Sequence, residues 1–303
     1  MAEKLIDFQS NRTNVRINPV KRSIIHSLLS LSWMINNGWV QEFIRTNYFA
    51  PRKYNPSGAE QELLRQAESF RIKVNDQTIA GWRWGQGSAL LFVHGWNGSG
   101  IQFQPYIREA LKRGYSAITF DGPGHGDSDG NSSSYFEMTD ALRAVLNHFE
   151  EKEVLAVIGH SFGASAIINA LHKEKSRIPA VLLAPALGIK EMLDTTFVSH
   201  GVPMHIYNHL IEIYEQKFGY DLKKDNPRNL LGEYPLQAMI IHDTQDKVTP
   251  FAESKSASHK FPSIKLVATS GLGHKKIIND PQIIAKAYDY LNLKYAANGD
   301  KYL

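Results

Sequence analysis

The strongest chemical signal in the chain is a serine enclosed by two glycines. Gly159 and Gly163 lie two residues either side of Ser161, after an apolar run at 154–158 and before a stretch at 164–171 that can form a helix. A strand, a tight turn and a helix in this order are the context of a nucleophile elbow. A Cβ at either glycine would crowd the neighbouring elements. Ser161 is therefore predicted to be a nucleophile, and the helix N-terminus would favour an anionic intermediate.

A histidine on a glycine-rich loop is placed to act as the general base. Gly271, Gly273 and His274 follow the last apolar run of the chain, at 265–268. Ligands of open α/β sheets bind outside the carboxyl ends of the strands, so a loop at this point can reach Ser161. We therefore expect His274 to accept the serine proton at one ring nitrogen while an acid holds the other.

Two further turns complete a pattern that is known from one family. His94, Gly95 and Trp96 follow the run 89–93, and a turn at 121–128 follows the next run. Together with the serine and histidine motifs, these turns resemble the α/β-hydrolase superfamily, in its serine esterase and lipase branch. The resemblance covers roughly residues 70–295, with the four motifs in the family's order. It implies that His94 and the 121–128 turn are mainly structural.

The same resemblance implies an oxyanion hole built from the main chain. The backbone N–H groups of Trp96 and Phe162 would hold the negative charge that develops on the substrate oxygen. Donors of this kind do not depend on the side chain, so the resemblance assigns a position rather than a residue type. No cofactor is expected for this chemistry.

The third member of the triad is an acid after the strand at 238–241. In the family, the second acid of this segment carries the function, which implies that Asp246 orients His274. Asp243 is the competing candidate, and its alternative role is to cap the loop after the strand. The implied order of Ser161, acid and histidine along the chain is the one found in this fold.

The elements around these motifs alternate in a regular way. Short runs rich in Val, Ile and Leu are separated by longer amphipathic stretches, which is typical of strands and crossover helices in an α/β protein. We predict the α/β-hydrolase fold, with a mostly parallel eight-stranded sheet flanked by helices. Strands are predicted at 70–75, 78–84, 89–93, 117–120, 154–158, 180–184, 238–241 and 265–268, the first two as an antiparallel hairpin around 76–77, and helices near 103–113, 136–150, 162–173 and 281–291.

Two segments lie outside this alternation. Residues 1–69 are predicted to be an N-terminal extension, and 185–235 to be a helical lid insertion, with one helix at 203–218. The hydrolase core then comprises 70–184 and 236–303. The lid is too long for an ordinary connection between two strands.

The extension contains an apolar pattern at helical spacing. The pattern predicts an amphipathic helix that packs on the body or shields the lid, while a role at a membrane surface or in a homodimer stays open. The residues that form this stripe are Ile24, Leu28, Leu31, Ile35 and Trp39.

Apolar residues of the lid suggest the type of substrate. Together with Trp96, they are predicted to line an acyl pocket, and these residues are Met192, Phe197, Met204 and Tyr207. The favoured function is hydrolysis of a carboxylic ester or thioester through an acyl-serine intermediate, an EC 3.1.1 activity on a small-molecule substrate. Two alternatives remain: acyl transfer with the same triad, and a small-molecule receptor that does not turn over its ligand.

Composition excludes several other classes of function. The first sixty residues carry eight basic and four acidic residues, which accounts for the whole formal charge of +4, so the rest of the chain offers no basic stripe for nucleic acid. The chain has no cysteine, which excludes thiolate chemistry. His205 and His209 have a spacing that a metal pair could use, but no metal is predicted. The chain contains no apolar run long enough to span a membrane, and a cytoplasmic protein is expected.

Overall fold

One sheet forms the centre of the protein, as a computed structural model of residues 18–149, 153–233 and 236–293 shows. Its described strands are arranged in the order β1-β2-β4-β3-β5-β6-β7-β8. All neighbours from β4 onward are parallel, whereas β2 runs antiparallel to both β1 and β4. The strands are β1 Glu68–Val74, β2 Gln77–Trp84, β3 Ala89–Val93, β4 Ser116–Phe120, β5 Val154–His160, β6 Ala180–Leu183, β7 Ala238–Asp243 and β8 Ile264–Thr269.

Helices cover both faces of this sheet. One core cluster lies under α5, α6, α9 and α10, and a second lies under α3, α4 and α12. The central strand β3 is fully buried along its length, which explains why it is apolar on both sides. The helices are α1 Pro19–Ile35, α2 Asn37–Tyr48, α3 Gly58–Arg65, α4 Gln104–Lys112, α5 Tyr135–His148, α6 Phe162–Glu174, α7 Ile189–Ser199, α8 Met204–Phe218, α9 Pro227–Glu233, α10 Phe251–Lys260, α11 Gly273–Lys276 and α12 Pro281–Tyr290.

The fold is the predicted one, with small differences at the ends of elements. The hairpin differs by one residue, because Val74 pairs with Gln77 and the turn is therefore Asn75-Asp76 rather than 76–77. Asn75 adopts φ +52°, a conformation that asparagine tolerates better than most residues and that two-residue hairpin turns require.

The N-terminal extension and the 185–235 segment pack on each other. Leu29 of α1 and Ile44 of α2 share a buried apolar cluster with Phe197 of α7 and Ile206 of α8. This cluster is separate from the two cores of the sheet. The extension therefore supports the segment proposed as a lid, and the two form one cap over the sheet.

The predicted single helix of the extension is interrupted, and its apolar stripe is not the face that packs. Asn36 has φ −153° and its side chain accepts from the Trp39 amide, so a new helix begins there. The face of α1 that contacts the body is Ile25, Leu29 and Trp33. The helix thus packs on α7 and α8 through a face other than the predicted stripe, which faces solvent.

The end of the 185–235 segment belongs with the core. Leu230 and Leu231 of α9 are buried in the cluster under α6, on the face of the sheet that also receives Leu236. Residues 234 and 235 lie outside the described residues, as do 1–17, 150–152 and 294–303 of the predicted ranges. We therefore propose that the part able to act as a lid is α7 and α8.

Candidate active site

Ser161 lies on the sharp turn between β5 and α6. Its backbone has φ +54° and ψ −117°, which few non-glycine residues adopt. The turn leaves no room for bulk beside it: a Cβ on Gly163 would lie 2.3 Å from the carbonyl oxygen of His94. A Cβ on Gly159 would lie 2.4 Å from Cδ1 of Ile167. The glycine spacing in the sequence therefore reflects a close approach of β3, the turn and α6, and this approach presents the serine at the carboxyl end of the sheet.

His274 lies in α11, directly after the glycine-rich loop. Its Nε2 is 2.9 Å from Oγ of Ser161, within hydrogen-bond distance. Its backbone carbonyl accepts a hydrogen bond of 2.8 Å from Nε2 of His160, the residue before the serine. Burial, together with the nearby His274, lowers the pKa of His160 to about 3, so the His160 ring is neutral and serves as a fixed donor. The elbow itself thus holds the base in place, a role for His160 that sequence reasoning missed.

Asp246 completes a relay of three side chains. Its Oδ2 lies 2.7 Å from Nδ1 of His274 and 3.0 Å from Oγ1 of Thr249, and its Oδ1 accepts from the amide of Val248 at 2.7 Å. Burial alone would raise the pKa of Asp246, but hydrogen bonds from His242 and His274 outweigh it and hold the pKa well below its ordinary 3.8. The ionised carboxylate keeps the proton of His274 on Nδ1 and leaves Nε2 to accept the serine proton.

Asp243, the competing acid, has a different set of partners. Its carboxylate accepts from the amide of Gln245, the hydroxyl of Thr269 and the amide of Leu272, each at 2.9 Å. These bonds join the end of β7 to β8 and to the loop that precedes His274. Asp243 is therefore a brace of the loop, and the geometry favours Asp246 as the acid of the triad.

A further histidine contacts the same carboxylate. Nε2 of His242 lies 3.3 Å from Oδ2 of Asp246, and its Nδ1 lies 2.7 Å from Oγ of Ser254. Sequence reasoning missed this residue as well. The available signal was a histidine within the buried strand β7, two residues before its loop. His242 therefore helps to fix the same carboxylate oxygen of Asp246 that His274 contacts.

Two backbone amides flank the serine. Within the described residues, neither the amide of Trp96 nor that of Phe162 has a hydrogen-bond acceptor in the protein. A Cβ on Gly95 would lie 3.2 Å from Cβ of Ser161, so the turn that carries Trp96 passes directly beside the nucleophile. The Phe162 amide belongs to the first turn of α6, where N–H groups have no intrahelical partner. Both amides are thus available to an oxyanion.

His94 braces the turn that carries Trp96. Its Nε2 accepts from the amide of Gly122 at 2.8 Å, and its Nδ1 lies 2.7 Å from the carbonyl of Gly95. Burial lowers the pKa of this histidine, so both nitrogens serve the backbone in the neutral form. The carboxylate of Asp121 also stabilises this loop, because it accepts a hydrogen bond of 2.7 Å from the hydroxyl of Ser99.

Comparisons with known proteins agree with this architecture. A model of the alpha/beta hydrolase family matches residues 90–235. An esterase of Pyrococcus furiosus, Pf2001, superposes with a TM-score of 0.61 at 19% identity, over 82% of this chain and 100% of the esterase. The match to the family model covers just under half of the chain, and the structure has the α/β-hydrolase fold.

Curated relatives of this chain are named for different activities. Lysophosphatidylserine lipase ABHD12 of Danio rerio is 25% identical over 82% of this chain and 75% of the lipase. Non-heme chloroperoxidase CPO-A1 of Kitasatospora aureofaciens is 27% identical over 42% of this chain. The match spans about half the length of such haloperoxidases, 46% in the case of CPO-A1.

A cavity of about 1050 Å³ opens onto Ser161 and His274. Ser161, His274 and Trp96 line it, together with Met192 of α7 and residues of the extension such as Tyr48. The extension therefore forms part of the wall around the site, which no motif in the sequence indicates.

Three of the predicted pocket residues lie elsewhere. Phe197 is buried in the cap, where its ring stacks 4.5 Å from that of Tyr48, and Tyr207 is buried beside it with its hydroxyl on Asp194. Met204 is 41% exposed at the start of α8. The prediction of these three as lining residues was wrong, because helical spacing identifies an apolar face but not what that face covers.

Other predictions from sequence can be compared with the described residues. No group of three or more potential metal ligands occurs among them, and His205 and His209 instead lie edge-on to the ring of Trp33. None of the described helices combines the length and the apolar character that crossing a bilayer requires.

Two buried histidines should make the stability of the fold depend on pH. Burial lowers the pKa of both His125 and His160 to about 3, from an ordinary value of 6.5. Between these values the unfolded chain binds protons that the folded chain does not. The free energy of unfolding should therefore decrease as the pH is lowered, by up to about 1.4 kcal/mol per pH unit for each histidine. The lowered pKa of Asp246 adds to this loss of stability only at pH values around and below 3.8, the ordinary pKa of an aspartate.

Urea unfolding at a series of pH values from neutrality to about 4 measures this slope. His125→Gln should make the dependence shallower than in the wild type, whatever the variant does to stability at neutral pH. An unchanged slope would show that His125 does not stay neutral in the folded protein.

Proposed function

We propose that this protein is a serine hydrolase that cleaves a carboxylic ester or thioester through an acyl-Ser161 intermediate. The observation that carries the proposal is the continuous relay from Asp246 to His274 to Ser161, with distances of 2.7 Å and 2.9 Å. The names of the lipase and esterase relatives support the same class of reaction.

The proposed reaction has two halves. As Oγ of Ser161 attacks the carbonyl carbon, Nε2 of His274 takes the serine proton, and the amides of Trp96 and Phe162 hold the oxyanion. The intermediate then collapses, and His274 gives its proton to the leaving alcohol or thiol. Water attacks the acyl-enzyme while His274 removes a water proton, and Ser161 leaves with that proton as the carboxylic acid is formed. Asp246 stabilises the imidazolium in both halves.

Steady-state hydrolysis of p-nitrophenyl esters from acetyl to long acyl chains tests the proposal. We expect repeated turnover, with release of p-nitrophenol in a burst if hydrolysis of the acyl-enzyme is slow. Added alcohols then distinguish hydrolysis from acyl transfer, because an acyltransferase would form the new ester in preference to the free acid. Release of one equivalent and no more would contradict hydrolysis and favour a receptor.

The lining of the cavity predicts which chain lengths are accepted. Met192→Trp places a larger side chain in the cavity and should shift the best substrate towards shorter acyl chains, lowering kcat/KM for long chains by about tenfold or more. The matched control is Met204→Trp, at an exposed position of the neighbouring helix. Equal effects of the two substitutions on the chain-length profile would contradict the assignment of the acyl pocket.

A further inference from the structure

The cavity has two chemically different parts. Beneath α7 and α8 its wall is apolar, and this part belongs to a cluster of aromatic and aliphatic side chains that includes Phe136, Met192, Leu193 and Ile211. The remaining wall comes from the segment 50–60, from the loop after β3 and from α11, and it is rich in amides and charged groups.

The charges in this second part are mostly positive. Arg52, Lys53 and Lys275 line the cavity and are exposed. The acidic residue in the same wall, Glu60, is 9% exposed, and its carboxylate accepts from the hydroxyl of Tyr54 at 2.8 Å and the amide of Ser57 at 2.7 Å. That carboxylate serves the start of α3, so the exposed charged side chains in this part of the described lining are basic.

Two features of the chain relate these cations to the part of the site that the leaving alcohol would occupy. Lys275 follows His274, whose Nε2 must protonate the leaving oxygen. The Arg52 amide donates to Oδ1 of Asn97 at 2.7 Å, which fixes the segment 50–60 against the loop that carries the Trp96 amide. An acyl chain in the apolar part would therefore place the alcohol portion of the ester among the basic residues.

We propose that the substrate is an ester whose acyl group is apolar and whose alcohol portion carries a phosphate or a carboxylate. This inference rests on the proposed function. In this proposal the three cations act on binding, and the chemical step belongs to Ser161, His274 and Asp246. Their effect should appear in KM, should be weakened by salt, and should be absent for a neutral alcohol.

Kinetics with three octanoyl esters test the proposal: those of glycerol, glycerol 3-phosphate and glycolate, each below its micellar concentration. The variant carries Arg52→Gln, Lys53→Gln and Lys275→Gln, and Lys276→Gln, an exposed residue outside the lining, is the matched control. We expect KM for the anionic esters to rise about tenfold in the triple variant with kcat unchanged, and KM for octanoylglycerol to stay constant. The two anionic esters show whether phosphate or carboxylate is preferred.

Equal KM values for neutral and anionic esters in the wild type, or an equal rise for all three in the variant, would overturn the proposal. Calorimetric binding of octyl phosphate, compared with octyl glucoside, keeps the proposal testable apart from catalysis. If no ester is hydrolysed but octyl phosphate binds through the three cations, the proposed function fails and the anion site stands. If octyl phosphate binds no better to the wild type than to the triple variant, the anion site fails.

A second, independent observation concerns the surface of the cap. Every exposed large hydrophobic residue in the described part of the chain lies on α1, α2, α7 or α8. Five of them form a continuous stripe along α1, with Met34 beside it, and are 52% to 78% exposed: Val20, Ile24, Leu28, Leu31 and Ile35. A surface of this kind on an otherwise polar monomer normally marks an interaction site.

Helix α1 therefore has two apolar faces, of which the protein covers one. The covered face holds Leu29, and Trp33 lies 5.2 Å from the ring of His209 on α8. The helix carries Lys21 and Arg22 but no Asp or Glu, and Trp39, 57% exposed, follows at the start of α2. An apolar face with flanking cations and a tryptophan is the composition of a helix that lies in the interface of a lipid bilayer.

We infer that the exposed stripe of α1 binds the surface of an anionic membrane. The helix carries two basic and no acidic residues, so its charge complements an anionic lipid surface, which is the occupant we commit to. Peripheral binding needs no spanning segment, because the apolar face enters only the boundary between head groups and acyl chains.

Co-sedimentation of the full chain with vesicles tests this inference. Vesicles of phosphatidylcholine with phosphatidylglycerol should retain the wild type, and Ile24→Ser with Leu28→Ser and Leu31→Ser should weaken retention about tenfold or more. Lys21→Gln with Arg22→Gln should weaken retention only when phosphatidylglycerol is present. Thermal unfolding and hydrolysis of a soluble ester check that each variant is folded.

Light scattering of the wild type and the triple-serine variant distinguishes the other occupant. A stable dimer that the serine substitutions dissociate, without binding to vesicles, would overturn the inference in favour of a second copy of the chain. Equal retention of the wild type and the triple-serine variant would also overturn it.

Discussion

Replacement of Ser161 by alanine is expected to reduce ester hydrolysis to background. In the proposed mechanism the hydroxyl oxygen of Ser161 forms the acyl-enzyme, and it lies 2.9 Å from Nε2 of the proposed base. In serine hydrolases, loss of the nucleophile typically costs about a million-fold in kcat. The flanking amides of Trp96 and Phe162 remain in Ser161→Ala, so the residual rate measures what positioning and the oxyanion hole achieve alone.

Matched controls make this result specific. Ser256→Ala removes a hydroxyl from an exposed position of α10 and should leave kcat and KM unchanged. An organophosphonate ester should add covalently to the wild type, with a mass shift that maps to Ser161 and is absent in Ser161→Ala. Turnover or labelling that survives in Ser161→Ala, in a protein with the thermal stability of the wild type, would show that the nucleophile is a different residue.

The order of strands and motifs could be predicted because local physics fixes them. Buried parallel strands must be apolar on both faces, so the run at 89–93 identifies β3 without reference to any partner. Gly159 reflects a local steric limit, because a Cβ there would lie 2.4 Å from Cδ1 of Ile167 in the helix that follows. His274 follows from the rule that the ends of parallel strands meet at one edge of the sheet.

The parts that sequence did not reveal depend on contacts between distant segments. Phe197 and Tyr207 have the apolar character of pocket residues, but the extension packs against them and seals them inside the cap. The role of His160 depends on where His274 comes to lie, 114 residues further along the chain. Segment 50–60 carries no periodic signal, yet it forms a wall of the cavity.

After Ser161→Ala, Asp246→Asn is expected to cause the largest loss of kcat. Its comparison with Asp243→Asn shows which carboxylate orients His274. An asparagine at 246 can direct its NH₂ group at Nδ1 of His274, which favours the tautomer with the proton on Nε2. Nε2 then no longer accepts the serine proton, and in the trypsin triad the equivalent change lowers kcat about ten-thousand-fold. We expect a loss of the same order here with little change in KM.

Asp243→Asn should act on stability instead. The wild-type carboxylate accepts three hydrogen bonds of 2.9 Å, from Gln245, Thr269 and Leu272. An amide has one oxygen, so at least one buried donor loses its acceptor, at a cost of about 1–3 kcal/mol of the free energy of unfolding. Because these bonds of Asp243 go to the loop and to β8, and not to Ser161 or His274, kcat per folded molecule should fall only several-fold.

Urea unfolding gives the stability of each variant, and titration of active sites with an organophosphonate normalises kcat to the folded fraction. The two substitutions remove the same charge from neighbouring positions of one loop, so a difference between them reflects geometry rather than net charge. If Asp243→Asn abolishes turnover while Asp246→Asn remains active, the relay has been assigned to the wrong carboxylate. If Asp246→Asn alone is inactive and remains folded, Asp246 holds the base in the tautomer that catalysis needs, and Asp243 holds the loop on which that base is carried.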